Sequence, residues 1–155
     1  MARIFISHCS TARRRALLFK KHMCSGNPEL RVFLSSDWGS IRSGEIWVQE
    51  VEQALRGCDH FAAILTCRTD STNPWMNYEI GFARGRGLAP RIFLFDSITP
   101  EEVALPVSML LLIRPGDSNR RAEELFAIGV MDAKTKEKVD AFGKAVYLRE
   151  EPVVL

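Results

Sequence analysis

Trp75 and Glu79 stand four residues apart in a segment that Pro74 can open as a helix, so their side chains would share one helix face. An aromatic ring beside a carboxylate suits chemistry on a sugar. The ring can pack on ribose or its attached base and exclude water. The carboxylate can hydrogen-bond ribose hydroxyls and stabilise positive charge as an N-glycosidic bond breaks. Burial by Trp75 should disfavour the charged carboxylate and raise its pKa. Taken alone the spacing is common in helices, with the tryptophan in the core and the glutamate in water, so its meaning depends on what surrounds it.

Five short apolar runs supply those surroundings: Ile4-Phe5-Ile6, Val32-Phe33-Leu34, Phe61 to Leu65, Ile92 to Phe95 and Met109 to Ile113. Each is continuous rather than alternating, as in strands covered on both faces of a parallel sheet. Helical signals lie between them. Ser10 can cap a helix through Ala16, Leu17, Phe19 and Met23 that Gly26-Asn27-Pro28 stops. Glu45 to Leu55 gathers Ile46, Val48, Val51 and Leu55 near one face, with Gly57 after it. Pro74 opens a third helix that Gly85 and Gly87 punctuate, whereas Ser97 to Val107, with two prolines, has room only for a short helical turn.

Strands alternating with crossover-length connections predict an α/β fold. The expected form is a flavodoxin-like three-layer sandwich, a five-stranded parallel sheet of order 2-1-3-4-5 with helices on both faces. Functional groups then gather on the rim at the carboxyl ends of the strands. Ser7-His8-Cys9-Ser10, Ser35-Ser36-Asp37-Trp38, Thr66-Cys67-Arg68 and Asp96-Ser97 are the residues expected there. The chain reads as a single domain over residues 1–155, with a core at about 3–128. Asn119 to Ile128 and Ala133 to Val146 look helical, and 129–155 read as a C-terminal extension or linker.

Other chemistry is poorly supplied. Gly39 and Gly44 bracket a polar connection whose Arg42 can reach a phosphate or a neighbouring subunit; an ordinary strand-to-helix turn capped by Ser43 explains it equally well. Arg13-Arg14-Arg15 has no accompanying aromatic ladder, and with 21 basic against 19 acidic residues nothing demands nucleic acid or an anionic membrane. His8, His22 and His60 form no triad pattern, and G-x-S-x-G is absent. Gly85-Arg86-Gly87 ends a helix and so is no phosphate loop. The four cysteines show no C-x-x-C and suggest no metal site. The longest apolar run is far too short to span a bilayer, and the opening residues do not form a signal core. A reduced, cytoplasmic protein is the simplest expectation, with the cysteines mostly small buried hydrophobes.

The ordered set Ile4-Phe5-Ile6-Ser7-His8, Val32-Phe33-Leu34 leading to Asp37, Gly44 with Trp47, Phe61 to Thr66, and Trp75-Met76-Asn77-Tyr78-Glu79 resembles the TIR (Toll/interleukin-1 receptor) domain. The form is most similar to prokaryotic, NAD-hydrolysing TIR domains, over about Arg3 to Ile113. The resemblance implies a glycohydrolase that cleaves NAD+ at its nicotinamide–ribose bond to give ADP-ribose or a cyclic isomer, in antiphage defence or signalling. NAD+ would be substrate, with no separate cofactor or metal. Glu79 matches the catalytic glutamate and Trp75 the aromatic before it. Ser7, His8, Cys9 and Ser10 fall in the stretch that contacts the dinucleotide, and Trp38 and Arg42 in the loop that lines the pocket and mediates TIR–TIR self-association. Cys9 stands where some active relatives carry a basic residue, and Arg42 where some carry an acidic one. Two other readings compete. Glu79-Ile80-Gly81-Phe82-Ala83-x-Gly85 also resembles the helix of nucleoside deoxyribosyltransferase-like enzymes, and a TIR module can act without catalysis.

Overall fold

A computed structural model describes residues 2–35, 47–95, 98–114 and Glu124. Five strands, β1 (Arg3–His8), β2 (Arg31–Leu34), β3 (His60–Leu65), β4 (Arg91–Leu94) and β5 (Leu111–Ile113), pair throughout in parallel. Their spatial order is β2-β1-β3-β4-β5, the order expected from the sequence. Three helices cross over between them: α1 (Arg13–Gly26), α2 (Trp47–Gly57) and α3 (Pro74–Gly85).

Because side chains alternate along a strand, one apolar run feeds two cores. Ile4, Ile6, Ala62, Ile64 and Phe93 pack with Ala16, Phe19 and Met23 of α1. Phe5, Phe61, Ala63, Leu65, Ile92 and Leu94 pack with Val51 and Leu55 of α2 and Met76, Ile80 and Ala83 of α3. Helices thus cover both faces, and the continuity of the apolar runs has its physical reason. Phe5 stacks on Phe61 with ring centroids 5.6 Å apart, while Phe19 meets Phe93 at 5.0 Å on the opposite face. Ser7 alternates onto the face of Phe5, the side that α3 covers.

Several boundaries differ from the sequence expectation. β1 runs through Ser7 and His8, so these lie within the strand rather than after it. Ser10 does not cap α1. A 3₁₀ turn at Ser10–Ala12 comes first, and α1 starts after Ala12 with no side-chain cap. Leu17 and Val48 turn outward, at 45% and 36% exposure, so the buried stripes of α1 and α2 are narrower than the apolar spacing suggested. β5 begins at Leu111 because Val107–Met109 winds into a 3₁₀ turn, as does Pro100–Glu102 in the same connection. Only Cys58 of the four free cysteines is buried. α3 ends in a Schellman arrangement: Leu88 N–H donates to the Ala83 carbonyl at 3.1 Å and Gly87 N–H to that of Arg84 at 2.8 Å. Gly87 there has φ of 79°, the left-handed conformation that favours glycine.

Ile46, Trp38, Arg42, the Gly39–Gly44 connection and the tail helices lie outside the described residues. Glu124, in the first of those expected helices, is helical, and Arg91 Nε donates to its carboxylate at 2.8 Å. Among the described residues no helix is long and apolar enough to cross a membrane.

Candidate active site

The start of α3 is fixed by a chain of local hydrogen bonds. Asn73 caps it, its side-chain oxygen accepting from the backbone N–H of Trp75 at 2.9 Å and Met76 at 3.0 Å. Pro74 occupies the first turn, where a missing N–H costs nothing. Asn77 Nδ2 donates to the carbonyls of Ser71 and Asn73, each at 2.9 Å, and so ties the helix to the preceding turn. The resulting rotation sends Met76, Ile80 and Ala83 into the core and carries Glu79 in with them.

Glu79 is fully buried. The hydroxyl of Ser7, from the middle of the sheet, donates to Glu79 Oε2. Ser7 is itself held in register opposite Ala63 of β3. Among the described residues Glu79 Oε1 and the buried Nε1 of Trp75 complete no hydrogen bond of good geometry, although the indole lies close enough to act on the carboxylate. Burial pushes the Glu79 carboxyl up to about 8, while the Ser7 hydroxyl and the adjacent Trp75 indole pull it down. Such a carboxyl changes charge near neutral pH, a property more useful for chemistry than for an ion pair. Trp75 was expected to raise this pKa; enclosure by the core as a whole does so, and the indole N–H acts in the opposite sense.

Trp75 belongs to an aromatic row across α2 and α3. Its ring lies 4.3 Å from that of Trp47 and 5.0 Å from that of Tyr78, and Tyr78 continues to Phe82 at 6.2 Å. Tyr78 donates its hydroxyl to Glu52 Oε1 at 2.6 Å, which joins the two helices at their exposed edge.

A second buried carboxylate, Asp70, organises the rim. It lies in the 3₁₀ turn Arg68–Thr72 that follows β3. Its Oδ2 accepts from Thr66 N at 2.8 Å, Thr66 Oγ1 at 3.0 Å and Cys67 N at 3.2 Å, while Oδ1 accepts from Thr11 Oγ1 at 3.1 Å. Burial alone would raise its pKa, but the Thr66 and Cys67 donors outweigh it and hold Asp70 below the ordinary carboxylate value. Thr11 links this turn to the β1–α1 connection, and Ser71 Oγ accepts from Ala104 N at 3.0 Å, linking it to the β4–β5 connection.

The residues singled out from sequence therefore divide. Ser7, Trp75 and Glu79 converge. His8 is buried; its backbone N–H donates to Ser35 Oγ at 3.1 Å, and its Nδ1 lies 2.8 Å from the Cys9 carbonyl. Cys9 points its thiol toward the Asp70 carbonyl at 4.0 Å. Burial and then Asp70 push that thiol up to about 12, leaving it protonated and a poor nucleophile. Ser10 is exposed at the start of its turn. Asp70, the Tyr78–Glu52 bond and the role of Ser35 were not read from sequence. Cys67 and Asp70 form a capping box in the structure, but Cys67-x-x-Asp70 departs from the Ser/Thr-x-x-Glu/Gln pattern by which such a box is read from sequence. Among the described residues no three His, Cys, Asp or Glu side chains gather as a metal set.

A family model described as the TIR domain matches residues 4–120, well over half of the chain. The chain belongs to the TIR domain family. Its fold is similar to the TIR domains in the structure of the activated Roq1 resistosome directly recognizing the pathogen effector XopQ. That match covers 94% of this chain and 81% of the other at 12% identity and a TM-score of 0.50, a likeness of fold. Comparison with the curated proteins finds no match. In this TIR domain Ser7 comes from the first strand and Glu79 from the third helix, so the site is assembled across the sheet.

Proposed function

We propose that this TIR domain is an NAD+ glycohydrolase in which Glu79 is the catalytic carboxylate. The observation that carries the reading is the fully enclosed carboxylate of Glu79, with one oxygen held by Ser7 and the other without a well-formed hydrogen bond among the described residues. In its ionised form it stabilises the positive charge that spreads over C1′ and the ring oxygen as the C1′–N bond breaks. Nicotinamide leaves with the bonding electron pair as a neutral base, so the leaving group needs no proton. Water then attacks C1′ and loses a proton to the carboxylate or solvent, giving ADP-ribose. Attack by a nitrogen of the adenine in the same molecule gives a cyclic isomer instead.

Glu79 has no solvent exposure, so substrate entry requires the site to open. Self-association through TIR–TIR contacts is the proposed means, and the structurally similar TIR domains come from an activated assembly. Trp38 and Arg42 of the β2–α2 connection remain the proposed pocket and contact residues, with His8, Cys9 and Ser10 near the dinucleotide. Such an activity fits cytoplasmic signalling or antiphage defence.

The test is nicotinamide release from NAD+ at high protein concentration. Wild-type protein should release it and a folded Glu79→Gln variant should not. Equal turnover by that variant rejects the assignment. Base exchange on deoxynucleosides with NAD+ untouched would favour a transferase. Inertness toward both, with Arg42→Ala abolishing self-association, would favour an interaction module.

A further inference from the structure

A cavity of about 330 Å³ opens between β1, β2 and α2, at the end of the sheet away from Glu79. Arg3 and Arg31 begin β1 and β2, sit opposite each other in register, and both line it. Ser7 lies four residues further along β1, about 13 Å at the rise of an extended strand. The two arginines alternate with Phe5 and Phe33, whose rings stack at 5.2 Å, and so share the α2 face of the sheet with them. Like charges directly opposite on neighbouring strands repel. Asp59 answers only one of them. Its carboxylate accepts from the Arg3 backbone N–H at 2.8 Å and lies 3.7 Å from the Arg3 guanidinium. Gly57 leaves room for that guanidinium, since a Cβ there would come within 3.3 Å of Nη1. Arg31 has no ion pair or side-chain hydrogen bond among the described residues. A third guanidinium backs the cavity: Arg86 donates to the carbonyls of Leu55 and Cys58, the latter at 3.0 Å, and covers the negative end of α2.

A guanidinium fork takes two acceptor oxygens in a bidentate pair. Two forks side by side therefore exceed what one carboxylate offers, whereas a phosphate monoester brings three oxygens and up to two charges. Behind the arginines the wall is apolar, formed by Phe33, Ile4 and Ala54. Glu50 and Gln53, three residues apart on α2, add an acceptor and an amide that both donates and accepts. An aromatic base with polar edges uses both kinds of wall, and an alkyl chain would use only one. The volume is near the lower end for small-molecule pockets, about 300–1,000 Å³, with room for one nucleotide and not for two. We propose that this cavity binds a nucleoside monophosphate, its phosphate between Arg3 and Arg31, its base against Phe33 and its polar edge at Glu50 and Gln53. The site is separate from that of Glu79 and stands whether or not the glycohydrolase reading holds.

The experiment titrates the full chain with adenosine 5′-monophosphate, adenosine and inorganic phosphate by calorimetry. Amide shifts of isotope-labelled protein then locate the bound monophosphate. The monophosphate should bind at least about tenfold more tightly than adenosine or phosphate alone. Its shifts should centre on Arg31, Phe33, Ala54 and Gly57 and leave Ser7 and Glu79 unmoved. Arg31→Ala should weaken it by about tenfold or more. Arg31 is exposed on the edge strand, so this variant should stay folded, which circular dichroism checks. Arg31→Lys, which keeps the charge and loses the fork, should recover only part of the affinity. No binding to wild type, equal binding to Arg31→Ala, or shifts centred on Ser7 and Glu79 each overturn the proposal. Adenosine or phosphate binding as tightly as the monophosphate overturns it as well.

Discussion

Asp70 and Glu79 enter the same rim from adjoining segments, and their carboxylates meet different surroundings. Asp70 accepts four hydrogen bonds, from Thr66, Cys67 and Thr11, and is held below the usual carboxylate range. Among the described residues Glu79 accepts one well-formed hydrogen bond, from Ser7, with only the Trp75 indole near its other oxygen, and it is pushed up to about 8. Burial is common to both and so does not decide their roles. The number of donors does. A carboxylate with four donors already on it has little left to offer a substrate and serves as a staple. A half-satisfied one is costly to the fold, and such a cost is expected where a ligand completes the set.

The largest expected effect that sharpens this contrast is on chemistry. Glu79→Gln should lower nicotinamide release by 10³-fold or more, on the order of 4 kcal/mol of transition-state stabilisation. The same change should help the fold at high pH. Because the folded pKa of Glu79 lies above its unfolded value, the native state holds the extra proton, and stability from this group is full below about 4.5 and falls as pH rises toward about 8. Wild type should therefore lose stability relative to Glu79→Gln across that window, by roughly a few kcal/mol. Denaturant melts at pH 5 and pH 8.5 check this, and a constant difference would contradict it.

Asp70→Ala should act on the fold instead, costing about 3 kcal/mol because buried donors lose their acceptor. Its pH signature has the opposite sign. The folded pKa of Asp70 is depressed, so its contribution is present above about 3.8 and disappears as pH falls through the lower folded value. Wild type should converge on the variant in acid melts.

Smaller effects follow from the supports of Glu79. Ser7→Ala removes a hydrogen bond that favours the charged carboxylate. The alkaline rise of kcat/KM should move to higher pH, with about a tenfold loss of kcat at neutral pH and little change in KM. Asn73→Ala should cost about 1 kcal/mol of stability through loss of the α3 cap, measured by thermal denaturation.

The same contrast explains what was legible in the sequence. Five continuous apolar runs announce a two-sided parallel sheet, because burial on both faces is a property of the run itself. Glu79 was visible because helical spacing places it beside Trp75, and Ser7 because it follows an apolar run. Asp70 was not, since its partners lie in a short 3₁₀ turn without apolar periodicity and across the rim in Thr11. Ser10 carries the signal of an α1 cap without being one, because a serine before a helical pattern gives the same local signal whether or not a 3₁₀ turn intervenes. That Trp75 Nε1 and Glu79 Oε1 complete no well-formed hydrogen bond among the described residues could be seen only in three dimensions, because an absent bond has no sequence signature.

The most direct test sets the two carboxylates against each other. Nicotinamide release from NAD+ would be measured for wild type, Glu79→Gln and Asp70→Asn, each rate divided by the folded fraction from circular dichroism. Glu79→Gln should be folded and inactive, and Asp70→Asn should keep most of its activity per folded molecule. Activity that survives in Glu79→Gln would contradict the assignment of Glu79 as the catalytic carboxylate.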